Sequence, residues 1–186
     1  MTLIDTASMP SIPSVEPAER ASRLAEAGGA WAERIAAEVS FAHLTYRVHG
    51  IGEGSVASRI TAGRHEFLID EPAALAGDDV AASPVEFALG ALISCQVVVY
   101  RLYANALGIR VDDIAIRAEG ELDARRLFGI DESVRAGFGA VRLAITLTGP
   151  EPEERYQELR AAVDAHCPVL DLFVNPTPVS VTVAKG

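Results

Sequence analysis

The chain has 186 residues, 49% of them hydrophobic and 23% charged, with a formal net charge of −10. That length and balance describe one soluble globular domain, large enough to bury a core without metal or disulfide support. The acidic charge argues against nucleic acid and anionic membrane as partners, because both recruit basic surface.

Met1 to Pro10 has neither the basic start nor the apolar run of a secretory signal, so a cytoplasmic location is expected. There a persistent structural disulfide is not expected, while a transient catalytic one is compatible with the compartment. Residues 1–13 carry two prolines and no periodicity and read as a loose arm. From Glu16 to Val39 the pattern is helical, with Leu24, Trp31, Ile35 and Val39 forming a sparse apolar stripe. Gly28-Gly29 predicts a break into two helices. Three β-like runs follow: Phe41–His49, Ser55–Thr61 and His65–Asp70. The glycine-rich gaps between them, Gly50 to Gly54 and Ala62-Gly63-Arg64, predict hairpin turns and an antiparallel meander.

Glu71 to Ala82 lacks a period and reads as a loop. Ser83-Pro84-Val85-Glu86 then opens a long helix, with Ser83 as N-cap, Pro84 at the first position and Glu86 at the third. The helix is expected to run to about Leu107 and stop at Gly108. Phe87 to Ile109 is apolar almost all round, but Gln96, Arg101 and Asn105 interrupt it before the ~20 apolar residues of a membrane span are reached. A helix apolar on every side in a soluble protein is a central helix, wrapped by its own sheet or by a second subunit. Val111–Leu122 and Phe138–Leu147 predict two long strands. Glu151–Ala165 predicts an amphipathic helix, and a short helix after Pro168 and a last strand over Val179–Val183 complete the chain. Blocks of strands and helices with short connections predict an α+β fold with a largely antiparallel sheet.

Cys95 and Cys167 are the only thiols, 72 residues apart and outside any CxxC motif, so any joint action requires the fold to bring them together. Cys95 lies about three turns into the apolar helix, where a free cysteine is by base rate an inert small hydrophobe. Its neighbours Ala91, Leu92, Val98 and Val99 supply no charge, so activation would need a cation from elsewhere, with Arg47, Arg59 and Arg64 as the candidates. Cys167 precedes a proline and fits an N-cap position, where a helix dipole favours the thiolate; a cysteine merely tolerated in a turn fits equally well. Glu86 completes the Ser83 capping box, which alone would explain it. Nine residues at 100° each place Glu86 and Cys95 on opposite faces, about 13 Å apart along the helix. His166 adjoins Cys167, but no ligand spacing joins it to His43, His49 or His65, and no metal or cofactor is expected. Nucleotide-binding and serine-hydrolase motifs are absent from the sequence.

Asp70-Glu71-Pro72, the loop, Ser83-Pro84-Val85-Glu86 with Cys95 on the long helix, and the distant Cys167-Pro168-Val169 together resemble the OsmC/Ohr family of thiol peroxidases. The resemblance covers roughly Phe41 to the C-terminus. It sets residues 1–40 apart as an N-terminal arm and helical extension and 41–186 as the OsmC-like domain. It implies antiparallel sheets wrapped around long central helices in an intertwined homodimer, with the active site at the dimer interface. It also implies Cys95 as peroxidatic thiol, Cys167 as resolving thiol and Glu86 as the acid that orients an activating arginine. Organic hydroperoxide and an external dithiol reductant are the implied partners. Hydroperoxide-specialised members carry that arginine in the first hairpin turn, which here reads His49 to Gly54 without one. The Glu86–Cys95 interval is also one residue shorter than in those members and agrees better with the broader OsmC-like branch. A non-catalytic dimer binding a small apolar ligand, and an interaction protein with incidental thiols, are the competing readings.

Overall fold

The computed structural model describes residues 11–186. Residues 1–10 of the expected arm lie outside these, and residues 11–16 carry no regular structure. Helix α1 then runs unbroken over Pro17–Ala37, with Pro17 at its first position. The break expected at Gly28-Gly29 does not occur. Both glycines face open space, and glycine inside a helix costs only about 1 kcal/mol relative to alanine. A break also needs a capping conformation, and neither residue has a positive φ. At the end of α1 the Arg34 guanidinium stacks on both Trp31 and Phe41, 5.3 and 4.8 Å from the ring centroids.

The first strand differs from expectation. Val39–Ala42 forms a 3-10 turn, and strand β1 covers Val48–Glu53, followed by β2, Ala57–Ala62, and β3, His65–Ile69. The glycine-rich stretch is therefore strand, and the chain turns after it, where Gly54 takes a φ of 57°. The reason is cross-strand packing. Gly50 pairs with Ile60, whose Cδ1 lies 3.0 Å from where a Gly50 Cβ would stand, so the site favours a residue without one. The three strands form one antiparallel sheet in the order β1-β2-β3.

Helix α2 spans Pro84–Ala106, and Gly108, with φ 62°, stops it as expected. Strands β4, Asp113–Leu122, and β5, Phe138–Thr148, form a two-stranded antiparallel sheet. Helices α3, Glu153–His166, and α4, Pro168–Val174, follow. The core lies where α2, α3 and the connection from α2 to β4 meet, and comprises Val99, Tyr100, Ala104, Ile109, Val111, Leu159, Val163 and Cys167. By length and composition α2 could cross a membrane. Here it is the central helix of the domain: Arg101 bonds the Val111 and Asp112 carbonyls, and Leu92, Gln96, Val99 and Tyr100 are buried.

The strand expected over Val179–Val183 is not formed. The alternation of valines is there, but no strand edge pairs with the segment, and Val179, Val181 and Val183 are 81%, 81% and 94% exposed. A strand without a partner leaves its backbone groups to water and gains no ladder.

Candidate active site

The packing of α2 against α3 and α4 brings the two cysteines side by side, Cys95 packing against the core cluster that holds Cys167 and each thiol near enough to act on the other. Cys95 projects from the middle of α2. Cys167 is the C-cap of α3 and the N-cap of α4, because Pro168 cannot continue α3 yet suits the first position of a new helix. Both thiols are free; Cys167 is buried and Cys95 only half-buried. Burial pushes the Cys95 thiol up. The nearby Val169 backbone N–H pulls the other way, and the Cys167 thiol beside it pushes it up further. No guanidinium of the described residues is among the groups acting on it.

Of the three arginines named above, Arg59 faces Ile51 across the first hairpin. It donates through Nε and a terminal nitrogen to the Glu53 carboxylate at 2.7 and 3.1 Å, so its charge is already engaged. Arg47 immediately precedes β1, and Arg64 lies in the β2–β3 turn. The His166 ring packs against Tyr103, tilted by 31° with ring centroids 4.5 Å apart. Its Nδ1 donates to the Ala162 carbonyl at 2.7 Å, which fixes the proton on that nitrogen because a carbonyl only accepts.

Glu86 does not meet Cys95 within the chain. Its Oε2 accepts from the Ser83 N–H at 2.8 Å and the Ser83 hydroxyl at 2.6 Å, closing the capping box. The Ser83 hydroxyl, followed by the Ser83 N–H, holds the carboxyl below the usual range for glutamate. Oε1 has no hydrogen-bond partner among the described residues, and the side chain is exposed.

Residues 77–182, more than half of the chain, match the family model described as OsmC-like protein. The chain belongs to that family. The α+β architecture agrees with solved relatives. An OsmC-like protein from Mycoplasma pneumoniae is 16% identical, with 70% of this chain and 87% of that one covered and a TM-score of 0.62. An organic hydroperoxide resistance protein OsmC from Legionella pneumophila is 22% identical, covering 70% and 90%, with a TM-score of 0.55. The organic hydroperoxide resistance protein OhrB of Bacillus subtilis is 24% identical, covering 70% and 91%, with a TM-score of 0.50. No curated protein sequence matches the chain.

Two features of this OsmC-like site escape sequence reasoning. The Val169 N–H at the Cys95 sulfur depends on how α4 docks against α2, which no local pattern encodes. Asp70, noted only as part of a motif, organises the loop that delivers Ser83 to its capping position. Its Oδ2 accepts from the N–H groups of Asp78 and Val80 at 3.0 and 3.2 Å. The loop closes tightly enough that a Cβ on Gly77 would stand 1.7 Å from the Glu71 carbonyl oxygen. Backbone N–H groups, that of Glu71 foremost and then that of Val80, hold the Asp70 carboxyl below the usual aspartate range. A lowered folded-state pKa means the carboxylate stabilises the fold above the pKa of the unfolded chain, and this contribution is lost as pH falls through the folded value. Asp70→Asn is therefore expected to lower Tm at neutral pH, with the gap from wild type narrowing in acid. An unchanged Tm at pH 7 would remove Asp70 from this role.

Proposed function

We propose that the chain is a cysteine-based peroxidase that reduces organic hydroperoxides to alcohols. The observation that carries the reading is the contact between the only two thiols, 72 residues apart in sequence. In the proposed cycle the Cys95 thiolate attacks one oxygen of the O–O bond. The bond breaks, the departing alkoxide takes a proton to become an alcohol, and Cys95 is left as a sulfenic acid. The Cys167 thiolate attacks the sulfenic sulfur, water leaves, and a Cys95–Cys167 disulfide forms. An external dithiol reduces it by exchange and is itself oxidised to a disulfide. Half-buried Cys95 is the thiol a substrate can reach, while Cys167 lies behind it. The names of the Legionella and Bacillus relatives agree with this chemistry.

The active unit in this reading is a homodimer in the cytoplasm. Val85, Val98 and Leu102 of α2 stay 41%, 55% and 39% exposed in the single chain. The β1-β2-β3 sheet touches α2 through the Phe67–Phe87 stack, 5.3 Å between centroids, and leaves Val48 and Ile51 in solvent. A second copy covering these surfaces would complete the shielding of α2 and bring Glu86 and a guanidinium to the thiol of the other chain. Sedimentation is expected to give a dimer at micromolar concentration; a monomer there would overturn the assignment.

The raised Cys95 thiol favours a second reading, a non-catalytic dimer that binds a small apolar ligand. Intact mass and peptide mapping after one equivalent of cumene hydroperoxide separate the two. Peroxidase chemistry gives a loss of two hydrogens and a peptide linked through Cys95 and Cys167; an unchanged mass leaves the binding protein.

A further inference from the structure

Away from the thiols, a cavity of about 560 Å³ lies between α1 and the C-terminal half of α2 with the connection to β4. Ala21 and Leu24 of α1 face Ala104, Ile109 and Val111 across it. The cavity exists because α1 rests on α2 without burying any of its own residues. Its α2 residues lie beyond Cys95 on the same helix: Arg101 and Ala104 follow it by six and nine residues, about 9 and 13 Å along the axis.

Two guanidiniums converge at one end. Arg20 of α1 and Arg101 of α2 both reach the Asp112 carbonyl oxygen, at 3.5 and 3.2 Å. Arg101 also donates to the Val111 carbonyl at 2.7 Å, whereas the other bond of Arg20, to the Val15 carbonyl, is 3.4 Å long. Among the described residues neither guanidinium forms an ion pair with a carboxylate. The Asp112 carboxylate is taken by Arg110 at 2.8 Å. Glu16 lines the cavity, and the Asp113 and Asp112 carboxylates act on Arg101 through their charge without a hydrogen bond to it. Burial, and then the neighbouring Arg20 cation, hold Arg101 below the usual arginine range. Two like charges side by side, bonded only to carbonyls, favour an anion that both can contact. A guanidinium matches a carboxylate in planar geometry.

We propose that this cavity is a second binding site, for a small amphipathic carboxylate. The headgroup would meet Arg20 and Arg101, and an alkyl chain would lie between Leu24 and Ile109. The volume falls within the range of small-molecule sites, and an apolar lining with a few convergent polar groups is their usual chemistry. One wall comes from α1, which precedes the family-matched residues 77–182. The site therefore belongs to the extension and the domain jointly, and a bound ligand would clamp α1 to α2.

Calorimetric titration of the full chain with decanoate, below its micellar concentration, tests this against decanol and acetate. Decanoate is expected to bind, with decanol and acetate each at least about tenfold weaker, since each lacks half of the recognition. Arg20→Gln is expected to weaken decanoate about tenfold or more, by removing one charge-assisted contact. Leu24→Trp is expected to block binding by filling the cavity. Amide hydrogen exchange in α1 should slow when decanoate is added to wild type and stay unchanged in Arg20→Gln, a readout that remains if Leu24→Trp folds poorly. No binding of decanoate, equal affinity for decanol, or undiminished affinity in Arg20→Gln would overturn the proposal.

Discussion

Cys95→Ser is expected to bring hydroperoxide consumption down to the uncatalysed background, whereas Cys167→Ser still reduces one equivalent and then stops with a sulfenic acid on Cys95. The two outcomes differ because the thiols differ in access. Cys167 is 3% exposed, capping α4 beneath α2, while Cys95 is half-buried. A peroxide oxygen must approach the sulfur that attacks it, and only one of the pair is open to that approach. The sulfenic acid formed there would then be in contact with the second thiol, which needs no access to solvent to displace water from it. Dimedone labelling followed by peptide mapping reads the result. The expected adduct is on the Cys95 peptide of Cys167→Ser, with none on wild type once the disulfide has closed. Full turnover by Cys95→Ser would reverse the roles, and the N-cap position of Cys167 would then become the decisive feature of its chemistry.

The residues behind that prediction differ in how far the sequence reveals them. The Ser83–Glu86 capping box and the Pro168 start of α4 are local: three or four residues and the geometry of a first helical turn specify them, and both form as expected. The Gly28-Gly29 break fails because a glycine pair interrupts a helix only when something else competes for that backbone, and here nothing does. The first strand is displaced toward the glycines because Ile60, on the opposite strand, decides whether a side chain fits at position 50. The alternation over Val179–Val183 is plain in the sequence, but pairing needs an edge that the single chain does not bring to it. In each case the missing information lies across the fold, where a window of sequence does not reach. The thiol pair belongs to both kinds. Each cysteine has a readable local setting, yet their contact depends on α2, α3 and α4 docking together.

Glu86→Gln is expected to lower peroxidase activity by about ten- to a hundredfold, the weight of one charge-assisted hydrogen bond in the rate, while Tm changes little. Two physical roles meet on this side chain. Oε2 closes the capping box with Ser83, and glutamine performs that function equally well. Oε1 has no partner among the described residues, and the side chain stands exposed on α2. As an active-site acid it would hold a guanidinium against a thiolate, offsetting the burial that pushes the Cys95 thiol up. A neutral amide keeps the cap and loses that ion pair, so the two roles separate in one substitution. Because Glu86 and Cys95 face opposite ways on α2, an active-site role would require the acid to serve the thiol of a second subunit. Mixing Glu86→Gln with Cys95→Ser subunits should then restore about one working site per heterodimer, with an intact Glu86 from one chain beside an intact Cys95 from the other. The second site of the same heterodimer carries both lesions and stays silent, so the heterodimer should approach half the specific activity of the wild-type dimer, and an equimolar exchanged mixture, in which heterodimers are about half of all dimers, about a quarter. With subunit exchange confirmed by native mass spectrometry, absence of recovery would confine Glu86 to its capping role and leave the cation that activates Cys95 to be supplied without it.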